Sequence, residues 1–362
     1  MDRRKFIKGA GVAGVAAAST LAAPAIAQGT RELKMVTTWP KNFPGLGTGA
    51  QRVADRISKI TDGSLTVRLF AAGELVPPFE SFDAVSTGSA DMYHAADYYW
   101  QGKSKAYAYF TAVPFGMTAA EIHAWIHHMG GQELWDELGS QFNLKHLPAG
   151  NTGVQMGGWF NKEINSIDDM KGLKIRMPGL GGEVLRRIGA AAVTLPGGEI
   201  FPSLQSGAID ATEWVGPWND LAFGFYKVTK YYYYPGFHEP GAMLGVGINL
   251  DVWNSLSGAH QEAIRASCIA ENDIMLGEFN ANNGRALKTL LNDHGVELRR
   301  FDDSIFTEIA AKSKEVLAEA GASSEIAGKV HASFTESFEA LRSWTGLSEQ
   351  PYTAVRDKAF GG

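Results

Sequence analysis

The chain has 362 residues, 45% hydrophobic and 20% charged, which allows two domains and excludes bulk disorder. Its 39 acids against 33 bases give a net charge of −6, without the basic excess of a nucleic-acid binder. A single cysteine, Cys268, excludes an intrachain disulfide and a thiolate metal or Cys-x-x-Cys redox centre.

Residues 1–27 join a basic start (Arg3, Arg4, Lys5, Lys8) to a small apolar run, Gly9 to Ala23, and a small-x-small end, Ala25-Ile26-Ala27. This is the pattern of a cleaved secretory signal, and Arg3-Arg4 before Lys5-Phe6-Ile7-Lys8 resembles a twin-arginine export signal. The run is too short and too rich in Gly and Ala to favour a membrane anchor, which needs ~20 strongly apolar residues. Cleavage removes four bases and one acid, leaving 29 bases, 38 acids and a charge of −9. The expected product is an acidic periplasmic protein stabilised by its core rather than by disulfides.

Leu33 to Trp39 reads as the first strand of the mature chain, and a Gly/Pro-rich turn follows over Pro40 to Gly49. Val53, Ile57 and Ile60 have helical spacing; Ser64 to Phe70 alternates as a strand; Val85 to Ala96 carries a turn and a short strand. This β-α-β order predicts an α/β lobe with a largely parallel sheet. Ala119 to Leu138 reads as one helix. Strands are expected at Leu144 to Gly150, Gly153 to Phe160, Leu173 to Met177, Ala192 to Leu195, Tyr231 to Tyr234 and Ala242 to Leu250, with a helix over 181–190. Beyond Ala259 the chain is mostly helical: a long segment to Leu291, a strand from Val296 to Phe301, then helices over Asp303 to Ala320 and Ala327 to Trp344.

One internal repeat is visible. Phe82-x5-Gly88-x2-Asp91 and Phe201-x5-Gly207-x2-Asp210 each read as a helix end stopped by Gly before a strand, and each follows a Gly-Glu-aliphatic turn. Two similar α/β units in one chain would place a ligand in the cleft between them.

Several polar residues stand in apolar or Gly-rich surroundings. Arg176 ends a strand just before Gly179-Leu180-Gly181-Gly182, which lacks the third glycine of a dinucleotide fingerprint but reads as a helix start able to bind an anion. Arg176 is either a two-pronged carboxylate anchor or a surface arginine paired with an acid. Glu213, in Thr-Glu-Trp-Val-Gly-Pro-Trp, and Glu239, after Pro235-Gly236-Phe237-His238, are either salt-bridge partners or cation ligands. Gln155 reads as a polar residue in mid-strand. Such oxygens suit Na⁺ or Ca²⁺ better than zinc. His123 and His127 share a helical face, but Ala124 stands where a zinc protease carries Glu. Cys268 reads as core. The aromatics Tyr98-Tyr99-Trp100 and Tyr231 to Tyr234 are core or pocket wall.

Gly150-NTGVQMGGWF-Asn161, Met170-KGLKIR-Met177, Gly207-AIDATEWVGP-Trp218 and Tyr231-YYYP-Gly236 resemble the solute-binding proteins of TRAP (tripartite ATP-independent periplasmic) transporters, over roughly residues 31–345. Within that family they look most like the branch that binds 2-oxo acids and small monocarboxylates. The resemblance implies an α/β fold of two lobes with a hinge and a long connecting helix. Lobe I would comprise 31–151 plus 242–280, lobe II 152–241 plus 281–325, and 326–362 a C-terminal helical extension that supports a homodimer, with Ala327 to Trp344 as its candidate. It implies that Arg176 salt-bridges the substrate carboxylate, and that Gln155, Glu213, Trp214 (through its carbonyl) and Glu239 hold a Na⁺ or Ca²⁺ ion bridging substrate and protein. Tyr98, Tyr99 and Asn151 match positions near the pocket. Phe237 and His238 depart from the family, whose members carry bulkier aromatics there.

The implied function is a non-enzymatic receptor that hands a 2-oxo or 2-hydroxy monocarboxylate to a membrane permease, with no nucleic-acid partner. The competing readings are a periplasmic metal-dependent enzyme, with Glu213 or Glu239 as base and His238 as acid, and a receptor for a metal chelate or other solute serving an ATP-driven importer. The enzyme is disfavoured, because no nucleophile-base pair or histidine-rich open metal site is recognisable.

Overall fold

The computed structural model describes residues 30–361; the signal sequence read over 1–27 lies outside the described residues. Strand β1 (Arg31–Thr37) leads into α1 (Leu46–Ile60), which buries Ala50, Val53, Ala54 and Ile57 along one stripe. The chain continues through β2 (Leu65–Phe70), α2 (Ser81–Ser86) and β3 (Met92–Ala95). Strand β1 lies parallel to both β2 and β3.

The expected single helix over 119–138 is two: α3 (Ala119–His128) and α4 (Gly131–Ser140). Thr118 and Glu121 form a capping box that starts α3, and Gly130, at φ 85°, turns the chain in the left-handed region that glycine enters without strain.

Strand β4 (Leu144–Asn151) closes the first sheet's edge, and the chain then crosses to a second sheet. The strand expected over 153–160 is reduced to β5 (Gly158–Phe160). Residues 152–157 form a connection instead, because Gly153 (φ 71°) leaves extended geometry. The second sheet takes β6 (Lys174–Arg176), then β7 (Ala191–Val193) after α5 (Gly179–Arg187), and β8 (Ala211–Thr212) after α6 (Gly197–Gln205). After α7 (Pro217–Phe223), β9 (Tyr231–Tyr234) pairs with β5, and residues 235–242 cross back. Strand β10 (Met243–Asn249) inserts antiparallel between β3 and β4. The first sheet is therefore mixed, in the order β2-β1-β3-β10-β4, rather than largely parallel.

A short α8 (Leu250–Ser255) precedes α9 (Gly258–Asn292), 35 residues long and so roughly 52 Å at 1.5 Å per residue. Helix α9 packs on β4 and α1 of the first half and on α7 of the second. Its Asn272 accepts a hydrogen bond from Gly150 N–H at 3.1 Å, and its Asn283 one from Trp218 N–H at 3.1 Å. Strand β11 (Glu297–Arg300) then completes the order β11-β9-β5-β8-β6-β7. Helices α10 (Asp303–Gly321) and α11 (Glu325–Thr345) pack together, and α11 also covers α3 and α4. A last helix, α12 (Glu349–Phe360), buries none of its residues.

The repeat marks equivalent places in the two sheets. Gly88 (φ 82°) and Gly207 (φ 72°) stop α2 and α6. Asp91 then accepts from Lys34 N–H at 2.7 Å, and Asp210 from Lys174 N–H at 3.2 Å, each locking its strand to a parallel neighbour.

Candidate functional site

Four parallel strands end at one cleft. Trp39 follows β1, Tyr98 and Tyr99 follow β3, Arg176 ends β6 and Glu213 follows β8. Ligands of open α/β sheets collect at such carboxyl ends. The two crossing connections run side by side beneath them. Thr152 N–H donates to Ala242 O at 3.0 Å, Gln155 N–H to Glu239 O at 3.1 Å, and Gly236 N–H to Gln155 O at 3.1 Å. That ladder brings Gln155 and Glu239 together from 84 residues apart, and Gln155 Nε2 donates to Glu239 Oε2 at 2.8 Å.

Arg176 is fully buried and ion-paired with Glu213, itself without exposed surface. Its Nε donates to Leu195 O at 3.2 Å, Nη1 to both the carboxylate and the carbonyl of Glu213, and Nη2 to the Tyr99 hydroxyl at 3.2 Å. A guanidinium has five N–H groups, so one Nη2 hydrogen is left beyond these four bonds. The guanidinium also lies 5.1 Å from the centre of the Trp214 ring. Burial works most strongly against its charge, but Glu213, with Tyr99, Tyr98 and Glu239, together more than offsets this and holds the pKa above its ordinary value. Of the alternative reading, a surface arginine paired with an acid, the burial removes the surface placement while the acid partner is present as Glu213.

Glu239 has no such counter-ion in contact. Burial first, and the Glu213 charge second, push its carboxyl well above the usual range, against the opposing pull of Arg176, Tyr98 and Gln155. Burial also raises Tyr98 and Tyr99, which stay protonated as donors. Gln155 Oε1 and Trp214 Nε1 are buried without partners. A space of about 240 Å³ is lined by Trp39, Tyr98, Tyr99, Gln155, Trp214 and Glu239 among others. A larger space of about 870 Å³ beside Phe115, Leu317 and Phe334 has a mostly apolar wall, with Lys314, His331 and Glu339 also lining it. The smaller space carries Glu239, Gln155 and the two tyrosines, and is the candidate site.

The structure thus gathers Arg176, Glu213, Gln155, Glu239, Trp214, Tyr98 and Tyr99. Arg176 and Glu213 do not line the space themselves but adjoin it through Tyr99 and Trp214, and Asn151 does not line it either. Its Nδ2 donates to Gly241 O at 3.3 Å and its Oδ1 accepts from Gly153 N–H at 2.8 Å, so it braces the two crossings. Gln155 is on a connection, not in mid-strand. The glycines at the start of α5 provide close approach: a Cβ on Gly179 would stand 3.3 Å from the Tyr98 ring, and one on Gly181 would stand 2.8 Å from His238 Cβ. His123 Nε2 lies 2.8 Å from Asn272 and 3.3 Å from Asn151, a structural clamp. Cys268 is buried core. Tyr232 and Tyr233 are core of the second sheet rather than pocket wall.

One site residue, Trp39, was absent from the sequence-derived set; it could have been found by the strand-end rule, since it lies two residues past β1. His238, named from the sequence only as a departure from the family and as the acid of the competing enzyme reading, is buried with its Nε2 3.3 Å from Glu213 Oε2.

Residues 35–324 match the family model described as bacterial extracellular solute-binding protein, family 7. A monocarboxylate 2-oxoacid-binding periplasmic protein of Nostoc sp. is 42% identical over 320 residues, covering 88% of this chain and 87% of that one. A TRAP solute-binding protein of Bordetella bronchiseptica, a mixed-occupancy dimer with copurified calcium and picolinate, superposes with a TM-score of 0.90 at 33% identity, covering 92% and 99% of the two chains. One from Pseudoalteromonas atlantica, with bound sodium and pyruvate, gives 0.87 at 38% identity, covering 90% and 99%. On this match across most of its length, the chain belongs to the family 7 extracellular solute-binding proteins, the two-lobed receptors of TRAP transporters.

Proposed function

We propose that this receptor holds a small 2-oxo or 2-hydroxy monocarboxylate, without turnover, through Arg176 and a bound Na⁺ or Ca²⁺, and delivers it to TRAP permease subunits. The observation that carries this is a buried guanidinium, paired with Glu213 and touching Tyr99, next to a small space lined by Tyr99, the buried Glu239 and Gln155 with its partnerless amide oxygen. Glu213 is already paired with Arg176, so once Glu239 is ionised a lone anion would meet an uncompensated negative charge. When bound, a cation supplies the missing positive charge and accepts lone pairs from the substrate's carboxylate and 2-oxygen. Gln155, Glu213, Glu239 and the Trp214 carbonyl are the residues to hold it, a hard-oxygen set. Two acids and one substrate carboxylate against Arg176 and a cation leave a net charge of −1 with Na⁺ or zero with Ca²⁺. The free Nη2 hydrogen of Arg176 and the Tyr98 and Tyr99 hydroxyls are donors for the substrate oxygens, and the rings of Trp39 and Trp214 exclude water. The identities of the Nostoc and Pseudoalteromonas relatives' ligands support the class.

The lobes proposed are 31–151 plus 242–280 and 152–241 plus 281–325, with the paired crossings as hinge. A second copy is the proposed cover for α12, whose Tyr352 and Val355 stand exposed with Trp344 and Leu347. Export by the twin-arginine route is part of the same proposal.

The test is a thermal-shift series with pyruvate, in cation-free, Na⁺ and Ca²⁺ buffers, with the recovered ligand checked by mass spectrometry. Stabilisation that needs both pyruvate and a cation, with pyruvate returned unchanged, is expected. Conversion of pyruvate would replace the receptor with an enzyme.

A further inference from the structure

Trp39 carries an indole from the end of β1 to the wall of the ligand space, where it meets the Trp214 ring edge-on at 6.2 Å and the Tyr99 ring at 6.4 Å. Its only side-chain donor, Nε1–H, is taken by His94 Nδ1 at 2.8 Å. His94 lies on β3 opposite Thr37 and has no exposed surface. Its other ring nitrogen, Nε2, stands 3.0 Å from Ala149 O on β4, past the inserted strand β10. That carbonyl sits in a bulge: Met243 pairs with Asn151 and Gly245 with Pro148, so Ala149 and Gly150 together face Leu244. The crossing that carries Gln155 leaves β4 from there.

An indole N–H only donates and a carbonyl only accepts, so one neutral tautomer fits both partners, with a bare Nδ1 and a protonated Nε2. A second proton would set the imidazole against the indole N–H. Burial first, with a smaller push from the Arg52 charge, holds its pKa down at about 4 against the pull of the backbone carbonyls. We infer that His94 is a positioning residue for the binding site, fixing Trp39 as a pre-set wall and tying it to the bulge at the root of the Gln155 crossing. This rests on the reading above that the space holds the ligand. A ring fixed beforehand need not be ordered when the ligand arrives, a gain of up to about tenfold in affinity.

The experiment uses the mature chain with isotope-labelled histidine and tryptophan. Long-range proton–nitrogen spectra at neutral pH should show His94 with a bare Nδ1 and a protonated Nε2. Two variants then separate its bonds: His94→Asn leaves an acceptor where Nδ1 stood, and His94→Gln a donor where Nε2 stood. By calorimetry with Ca²⁺ present, His94→Gln should bind pyruvate about tenfold more weakly than wild type, and His94→Asn should recover part of that loss. In a Trp39→Phe background, which has no indole N–H to hold, His94→Gln should weaken binding no further. A protonated Nδ1 in the wild type overturns the inference, and this needs no variant to fold. So does equal weakening of both variants, wild-type affinity in His94→Gln, or an undiminished loss in the Trp39→Phe background. A wild type that binds no pyruvate sinks the carboxylate reading instead. The inference is then decided by the imidazole spectrum and by the Trp39 indole signal, which should shift more in His94→Gln than in His94→Asn.

Discussion

A guanidinium with no exposed surface has to be neutralised where it sits, and Glu213 does this for Arg176. Arg176→Ala strands that carboxylate, at a cost of about 3–5 kcal/mol. Arg176→Lys keeps the charge but loses the planar fork. Urea unfolding should rank the two variants in that order of stability, while pyruvate calorimetry should show both at least about tenfold weakened, a loss of ~1.4 kcal/mol or more. Full affinity in Arg176→Lys would place the anchor elsewhere. Asp220 offers a separate test by pH. It accepts from the Tyr232 hydroxyl at 2.6 Å and Trp159 Nε1 at 3.0 Å, and burial pushes it from 3.8 to about 7. Between those values the native state keeps a proton that the unfolded chain has released. The stability this group contributes is present in full below pH 3.8 and is lost as pH rises toward 7. Asp220→Asn removes that loss. Its stability relative to wild type should rise with pH across the window, by up to about 1.4 kcal/mol per pH unit. Parallel pH profiles from denaturant titrations would contradict the buried proton. Arg176, Glu213 and Glu239 were legible as residues because charge in apolar or Gly-rich sequence is conspicuous. Their pairing was not, since Gln155 and Glu239 meet only through the crossings.

Helix boundaries were legible where composition punctuates them, as for α9, α10 and α11. The break between α3 and α4 was not, because apolar spacing runs on through Ile126, Met129, Leu134 and Leu138 while the backbone turns at Gly130. The strand expected across Gln155 failed for the opposite reason: alternation was read across Gly153, where the backbone leaves extended geometry. Helix α5 gives the sharpest element-level test. Gly→Ala inside a helix ordinarily stabilises, by roughly 0.8–1.0 kcal/mol. At Gly182, however, a Cβ would stand 2.1 Å from the Met177 carbonyl oxygen, a backbone atom that cannot swing aside. Gly182→Ala should therefore destabilise by about 1–3 kcal/mol. Because α5 abuts Tyr98 and His238 through Gly179 and Gly181, ligand affinity should fall with it. A Tm increase in Gly182→Ala would show that the helix start is not wedged there.

The division into two units was legible in the molecule as a whole through the Phe-x5-Gly-x2-Asp repeat, whose aspartates lock equivalent strands in separate sheets. The antiparallel insertion of β10 was not, because nothing local in Ala242 to Leu250 says which sheet it joins. The C-terminal region was legible as helical to Trp344 but not to Phe360, where α12 has no tertiary burial to pattern it. Removing 347–362 should leave a folded protein that binds pyruvate as before but runs as a monomer where the full chain runs as a dimer, by light scattering. An unchanged mass for both would remove α12 from the interface. In the proposed site net charge is a poor guide to the ligand's sign, because there the local balance at Arg176, Glu213, Glu239 and a cation would decide it. That balance is tested most directly by calorimetric titration of pyruvate into chelator-stripped mature protein in sodium-free buffer, repeated with Ca²⁺ added. The account predicts one pyruvate per chain with Ca²⁺ and binding at least about tenfold weaker without it. Equal, tight binding in both buffers would contradict it.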